Sequence, residues 1–412
     1  MLYRNVKGIS PAAVLALQRA RPDLQLQIFA GGITSSTELA ALAKEQFHLD
    51  IEPSFEVVPL RGREALLPNS YPRFTLLRQT LAAARVAAGA LRRAVPALWV
   101  DSTGWAATFP VARLAGARVA AYVHYPTPGF NNDELSRSVF GAAAKVAYYS
   151  ALVGTYALCG ACAQCVMVNS SWTRRHIAGL WPGHRWPDVV YPPCNTEDLQ
   201  GLPLNRKLKR MVVLSVSQFR PEKQHALQLR AFARARALAA DSDAYDGIVA
   251  ARLKLVGGCR GAGDAQRVSE LQALAEELGI AEHVDFCVNL PYAELRSLLG
   301  EAAAGLHTMR DEHFGIGVVE LMAAGVVPIV HDSGGPREDI VVPVQIGPDL
   351  EIAGYRCTTE EEFARALVEV LAMDQVRRLR IAAAARTQAA KFSDARFAEA
   401  FVEALSPVLP GA

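Results

Sequence analysis

Glu312 and Glu320 stand eight positions apart in His307-Thr-Met-Arg-Asp-Glu-His-Phe-Gly-Ile-Gly-Val-Val-Glu-Leu-Met-Ala-Ala-Gly325. The pattern predicts a strand ending near His307, a loop carrying Glu312, and a helix opened by Gly315 and Gly317 that carries Glu320. A helix start presents unpaired backbone N–H groups and the positive end of the dipole, which suits a diphosphate. Glycines let a ligand approach the backbone closely. Ionised carboxylates only accept hydrogen bonds, so the two glutamates suit sugar and ribose hydroxyls. Two glutamates at this spacing mean little alone; joined to the Phe314-Gly315 turn and a small-residue helix they are specific.

A second candidate segment is Ser217-Gln-Phe-Arg-Pro-Glu-Lys223. Arg220 and Lys223 after a strand would neutralise a leaving diphosphate. The competing reading is a solvated loop with two ordinary charges. His124 ends a strand in Tyr122-Val-His-Tyr-Pro-Thr127 and suits either a catalytic or a packing role.

These residues need strand ends to hold them, and the chain supplies an alternation of short apolar runs with helical patterns. Expected strands are Leu24–Phe29, Phe55–Leu60, Ala97–Asp101, Arg118–His124, Cys165–Asn169 and Val189–Tyr191, then Met211–Ser217, Leu253–Gly257, Val284–Phe286, Gly305–Met309 and Val326–His331. Expected helices include Phe74–Leu91, Trp105–Leu114 and Asp264–Leu278, the last stopped by Gly279. Strand–helix alternation argues for an α/β protein with parallel sheets covered on both faces. The unit runs twice, with a joint at Pro192–Lys209. The expected organisation is two doubly wound Rossmann-like domains, 1–195 and 196–385, facing across a cleft, with 386–412 packing back towards the first. Ligands of such sheets sit at the C-terminal strand ends.

Length and composition agree: 412 residues, 51% hydrophobic and 20% charged, exclude a disordered chain, a collagen-like repeat and a coiled-coil rod. A formal net charge of +2 demands no nucleic acid and no anionic membrane as partner. Seven cysteines are too few and odd in number for a disulfide framework. Residues 1–10 show no secretory signal. Val146–Val168 holds 23 residues without a charge, yet its small and polar residues read as a helix to about Gly160 followed by a buried strand, not a bilayer span. The apolar faces of Phe74–Leu91 and Ala142–Leu158 suit either a bilayer surface or a core. Cys159, Cys162 and Cys165 lack a fourth ligand for a metal, and His307, Asp311, Glu312 and His313 are explained without one. The sequon at Asn169-Ser-Ser171 follows a core strand and reads as structural.

The Glu312-x7-Glu320 block resembles the retaining glycosyltransferases of family four, which share the GT-B fold. Further strings resemble its dolichol-linked oligosaccharide mannosyltransferases: Tyr122–Thr127, Asn169-Ser-Ser-Trp-Thr173, Val190-Tyr-Pro-Pro-Cys194, Gln218–Lys223, Gly257-Gly-Cys-Arg260, Gly305–Met309, Glu312–Glu320 and Ser333-Gly-Gly-Pro336. The strings occur in one order, and the resemblance covers about residues 68 to 343. The resemblance implies transfer of mannose from GDP-mannose, in α-1,2 linkage with retention, to Man3GlcNAc2-PP-dolichol, adding the fourth and fifth mannoses. It implies the cytosolic face of the endoplasmic reticulum membrane, and as partners the dolichol-linked oligosaccharide, the membrane surface and the earlier mannosyltransferases of the pathway. By family pattern Arg220 and Lys223 contact the donor diphosphate, and Glu312 holds mannose hydroxyls. Phe314, Gly315 and Ile316 present backbone to mannose and phosphate, Glu320 binds the ribose, and guanine lies near Asn289–Tyr292. His124 matches the histidine near the transferred sugar. No metal is expected, and the implied mechanism is front-face displacement without a protein nucleophile. The alternatives are another nucleotide-sugar donor, or a truncated or non-catalytic paralogue.

The chain departs from the family pattern in two places. The family opens with a membrane anchor, a strand and a glycine-rich loop ending in Glu-Arg; here Pro11–Arg19 resembles the helix after that loop, and residues 1–10 hold one glycine and no apolar strand. That implies a truncated gene model or a cleft lacking one wall, with hydrogen-bonding groups exposed on the neighbouring strand. Ser217 stands where the family usually has glycine.

Overall fold

Fourteen short strands organise the described residues, which in this computed structural model are 11–47, 49–67, 70–71, 73–125, 142–183, 186–205, 211–240 and 246–411. The expectations for residues 1–10 and for Pro126-Thr127 lie outside them. The chain forms two compact units. One holds Pro192–Arg396; the other holds the described chain up to Tyr191 together with the stretch from Phe397.

The Pro192–Arg396 unit is built on β7 (Val212–Val216), β8 (Arg252–Gly257), β9 (Val284–Val288), β10 (Ala304–His307), β11 (Val327–His331) and β14 (Tyr355–Cys357). They pair in the order β14-β11-β10-β7-β8-β9, every pair parallel. The first strand of the unit thus lies centrally, and successive strands run outwards on either side of it, which is the doubly wound pattern. The order reverses between β7 and β10. At that point the connections after the two strands leave for opposite faces, and a crevice opens at their C-terminal ends. Every residue of β7, β10 and β11 is buried, as central strands covered on both faces must be. Phe219, Phe232, Leu253, Leu306, Ile329 and Phe363 belong to one apolar cluster of this unit.

Three strands of this unit went unpredicted. β12 (Val344–Ile346) and β13 (Asp349–Glu351) form an antiparallel hairpin about Gly347, too short and polar to give a strand signal. β14 has only three residues, with Arg356 in its centre, and owes its existence to the open edge of β11.

The other unit holds a four-stranded parallel sheet, β3 (Leu98–Asp101), β4 (Arg118–Val123), β5 (Cys165–Val168) and β6 (Asp188–Val189), in that order. β1 (Gln27–Ala30) and β2 (Glu56–Pro59) pair separately. Phe29 of β1 packs its ring 5.4 Å from that of Trp99 of β3, but no ladder joins these strands. One edge of β1 and one edge of β3 are therefore without a strand partner among the described residues.

The helix Asp394–Leu405 completes this unit's core: Phe397 and Phe401 place their rings 6.2 and 6.3 Å from that of Tyr122. Tyr122 is buried and donates its hydroxyl to the Val190 carbonyl at 2.8 Å, the partner that a buried phenol needs.

The uncharged run from Val146 is a helix, Ala142–Gly160, and then β5. Among the described residues no helix is long and apolar enough to cross a membrane. Asn169 is buried between His124, whose carbonyl accepts its amide, and Thr173, whose hydroxyl it accepts; Ser170 caps the helix Ser171–Leu180. The sequon is thus occupied by local structure. The seven cysteines are free thiols, and burial pushes Cys165 up to about 12.

Candidate active site

Lys223 and Glu312 come from the two connections that leave β7 and β10, and they meet at the switch point. After β7 the chain makes a short turn over Pro221–Lys223, and Gln224 then takes a left-handed conformation (φ 51°) before the helix His225–Ala240. Such a backbone is unfavourable for a residue with a Cβ and persists only when neighbours hold it. Thr308, immediately after β10, is the holder. Its hydroxyl donates to the Lys223 carbonyl at 2.9 Å and accepts from Gln228 Nε2 at 3.0 Å, and the Thr308 and Gln228 side chains are both buried.

Lys223 Nζ pairs with Glu312 Oε2 and also lies 3.1 Å from the Met309 sulfur. The same carboxylate oxygen is 3.0 Å from His307 Nε2. Burial alone would raise the Glu312 carboxyl, but the His307 hydrogen bond and the Lys223 charge outweigh it and hold Glu312 well below the usual carboxylate range. At neutral pH the group is an anion with its second oxygen left to meet a ligand.

The turn that carries Glu312 is pinned from the segment after β11. Ser333 Oγ accepts from the Asp311 N–H at 2.7 Å and is 2.8 Å from His331 Nδ1. The Gly335 N–H donates to the Glu312 carbonyl at 2.7 Å. A Cβ on Gly335 would stand 2.6 Å from the Phe314 carbonyl oxygen, and one on Gly334 would strike the Glu312 backbone. This is why the Ser333-Gly-Gly-Pro336 string is needed: only residues without side chains fit against the turn.

Gly315 takes φ 112° and opens the helix Ile316–Ala323, whose first N–H groups have no intrahelical acceptor. Phe314 is buried with its ring 5.3 Å from that of Phe392, so its side chain anchors the turn while its backbone stays at the helix start. Glu320, one turn further in, has an Oε2 atom sealed from solvent with no hydrogen-bond partner among the described residues. Burial raises its pKa above the ordinary carboxylate value. Arg220 is more exposed, its guanidinium 3.9 Å from Glu222.

Of the residues singled out by sequence, the structure brings Lys223 and Glu312 into contact and sets Phe314, Gly315, Ile316 and Glu320 on the next turn and helix. Arg220 lies three residues before Lys223 on the β7 connection. His124 belongs to the other unit, one residue past β4, its ring 4.4 Å from that of Tyr122. Sequence reasoning missed His307 and Thr308 as supporting residues, although both lie in the quoted Gly305–Met309 string. It also missed His225, whose Nε2 is 3.0 Å from Ser217 Oγ. That contact gives the departure at Ser217 a place: the hydroxyl is buried against a histidine. Burial, with His307 and Lys223 nearby, lowers His225 to about 4, so it is neutral at physiological pH. Among the described residues no three metal-ligating side chains converge.

Known proteins match this chain over nearly its whole length. Residues 11–181 match the family described as "ALG11 mannosyltransferase N-terminus", and residues 202–388 match "Glycosyl transferases group 1". A mouse (Mus musculus) protein named GDP-Man:Man(3)GlcNAc(2)-PP-Dol alpha-1,2-mannosyltransferase is 39% identical over 96% of this chain and 83% of its own length. The chain belongs to the ALG11 mannosyltransferase family. The human (Homo sapiens) relative of the same name is 38% identical over 95% of this chain and 82% of its own.

Solved structures extend this ALG11-family assignment to the fold. A trehalose-phosphate synthase from Burkholderia xenovorans superposes with a TM-score of 0.69 at 12% identity, covering 96% of both chains. A sucrose-phosphate synthase from Thermosynechococcus elongatus gives 0.68 at 17% identity, covering 96% of this chain and 91% of that one. At such identities the likeness concerns architecture, and the architecture is GT-B.

Proposed function

We propose that this glycosyltransferase carries mannose from GDP-mannose to Man3GlcNAc2-PP-dolichol in α-1,2 linkage, supplying the fourth and fifth mannoses. Membership of the ALG11 family supports the donor and the acceptor, since the relatives carry both in their names. The observation that carries the residue assignment is the Lys223–Glu312 pair at the β7/β10 switch point, beside a helix start opened by Gly315.

In this reading the donor diphosphate lies against the first N–H groups of Ile316–Ala323, with Lys223 and Arg220 supplying positive charge. Backbone of Phe314, Gly315 and Ile316 faces mannose and phosphate. Glu312 accepts hydrogen bonds from mannose hydroxyls, and the Glu320 carboxylate accepts from the ribose. Guanine lies near Asn289–Tyr292, and His124 takes the family's role beside the transferred sugar.

The bond from mannose C1 to the phosphate oxygen breaks, and GDP departs with that electron pair. The acceptor oxygen bonds to C1 on the same face, and its proton passes to the departing phosphate. The protein positions the reactants and stabilises charge at an oxocarbenium-like centre. The reading assigns neutralisation of the diphosphate to the cationic side chains and the helix start, without a metal.

A lipid-linked acceptor places the reaction at a membrane, and we assign it to the cytosolic face of the endoplasmic reticulum. The enzymes that add the preceding mannoses make its acceptor and are its natural neighbours there.

The test is transfer from GDP-mannose to Man3GlcNAc2-PP-dolichol, with digestion of the product by an α-1,2-mannosidase. GDP-mannose should support addition of two digestible mannoses, and UDP-glucose or UDP-N-acetylglucosamine none. Transfer from a uridine donor in preference to GDP-mannose would sink the reading; so would a covalent mannosyl adduct on a protein side chain, for the mechanism.

A further inference from the structure

β11 ends at His331, and its pairing with β10 sets Val330 opposite His307, so two histidines close neighbouring strands one position apart. His307 holds the Glu312 carboxylate. A carboxylate is aimed by its main chain as well as by its rotamer, and here the main chain is unusual. Asp311, the residue before Glu312, takes a left-handed backbone (φ 53°) although it carries a side chain. Such a conformation persists where neighbours hold it. The Asp311 N–H is held by Ser333 Oγ at 2.7 Å.

A serine side chain turns about its Cα–Cβ bond, and left to itself it holds nothing in one place. His331 removes that freedom. Its Nδ1 lies 2.8 Å from Ser333 Oγ, and the Ser333 N–H donates to the His331 carbonyl at 2.8 Å, so the ring and the hydroxyl face each other across a closed turn. One arrangement satisfies all three groups: Nδ1 accepts the hydroxyl proton while Oγ accepts the Asp311 N–H. It needs an uncharged ring, because Nδ1 of an imidazolium carries a proton of its own. The surroundings favour that state. His331 is buried, and burial lowers its pKa from the ordinary value; Asp311, Asp332 and Glu362 act to raise it and Arg310 to lower it, and burial prevails. Asp332 lies 3.5 Å from Arg356 and 3.8 Å from Arg337, which share its charge.

We propose that His331 is a positioning residue for mannosyl transfer: through the Ser333 hydroxyl and the Asp311 N–H it fixes the main chain from which Glu312 reaches the mannose hydroxyls. The two histidines divide one task, His307 holding the carboxylate and His331 the backbone beneath it. The Gly335 N–H fixes the peptide after Glu312, at 2.7 Å from its carbonyl, and Ser333 fixes the peptide before Asp311. Losing the second hold lets the turn pivot on the first, and a group displaced by a fraction of an ångström no longer meets its hydroxyl. This rests on the reading that Glu312 meets the transferred sugar, and it names the residue that aims it.

Steady-state kinetics and amide exchange on the full chain test the proposal. His331→Phe keeps a ring in place without an acceptor, whereas His331→Asn offers a side-chain oxygen near the position of Nδ1. His331→Phe should lower kcat with GDP-mannose about 10- to 100-fold, the cost of a misplaced group. It should leave inhibition by GDP within about twofold, because GDP carries no mannose for Glu312 to meet. His331→Asn should recover most of the lost rate. Ser333→Ala removes a single hydroxyl, so it remains informative should His331→Phe fold poorly, and it should lower kcat as His331→Phe does. The double variant should lose no more than either alone, because both act through one hydrogen-bonded chain. Exchange read by mass spectrometry should show the Asp311 amide at least about fivefold faster in His331→Phe and in Ser333→Ala. A kcat near that of the unchanged protein in His331→Phe or Ser333→Ala overturns the proposal. So do equal losses in the Phe and Asn variants, GDP inhibition that weakens in step with kcat, or an Asp311 amide that exchanges as before. Exchange needs no donor, so it decides the role of His331 even where the unchanged protein fails to use GDP-mannose, a failure that would fault the transferase reading instead.

Discussion

His307 Nε2 stands 3.0 Å from Glu312 Oε2, the same oxygen that Lys223 holds, so one carboxylate oxygen is committed to the protein and its mate is left for a ligand. His307 ends β10 and is 4% exposed, which fixes its ring and through it the Glu312 rotamer. Removing it should loosen the carboxylate without removing it. His307→Ala should lower kcat about 10- to 100-fold, the worth of one hydrogen bond to a charged group, with a smaller change in KM for GDP-mannose. His307→Gln, whose amide nitrogen reaches a similar position, should recover part of the loss. Steady-state kinetics decide it; equal losses in both variants would refute the positioning role.

Glu312→Gln should abolish transfer and also destabilise the protein. It leaves the Lys223 ammonium, 13% exposed, facing a neutral amide, at a cost of about 3 kcal/mol. Combining it with Lys223→Met should restore the melting temperature but not the activity. Thermal unfolding and a donor-hydrolysis assay separate the two effects. An inactive single variant with unchanged stability would show that the ion pair is energetically idle.

Glu320 should trade stability for donor binding. A carboxyl whose folded pKa is raised costs stability once pH exceeds that pKa, and the cost disappears as pH falls towards the ordinary value of 4.5. Glu320→Gln should therefore melt higher than the unchanged protein at pH 8 and converge with it near pH 4, while KM for GDP-mannose rises. Urea titrations at the two pH values test the sign; a variant less stable at pH 8 contradicts it.

His225 should make the fold acid-sensitive in a defined window. Its folded pKa of about 4 lies below the ordinary 6.5, so the folded state disfavours the proton. The contribution is intact above pH 6.5 and is lost as pH falls to 4, amounting to about 3 kcal/mol across the window. His225→Gln should flatten that slope, as read from urea midpoints at pH 7 and pH 5.

Much of this protein is decided by local pattern. The alternation of short apolar runs with helical stretches specifies parallel strands covered on both faces, because a strand buried on both sides must be apolar throughout. The Glu312–Glu320 block, with its glycines, marks a strand end, a turn and a helix start from residue types alone, since only glycine accepts the backbone at Gly315 and the approach at Gly335. The charge-free run from Val146 likewise divides into helix and strand where its small residues give way to Cys165–Val168.

What only the tertiary structure decided is which side chains share a charge or a hydrogen bond. Lys223 and Glu312 are 89 positions apart and meet because β7 and β10 are neighbours where the strand order reverses. Thr308 holds the Lys223 backbone across that same junction. Nothing in the spacing of a sequence encodes strand order, because order follows from how helices on both faces cover the sheet. β14 exists only because β11 offers it an edge, and the Glu320 oxygen without a partner among the described residues becomes visible only once its neighbours are in place. Residue types set the chemistry available, and strand order determines which groups meet to perform it.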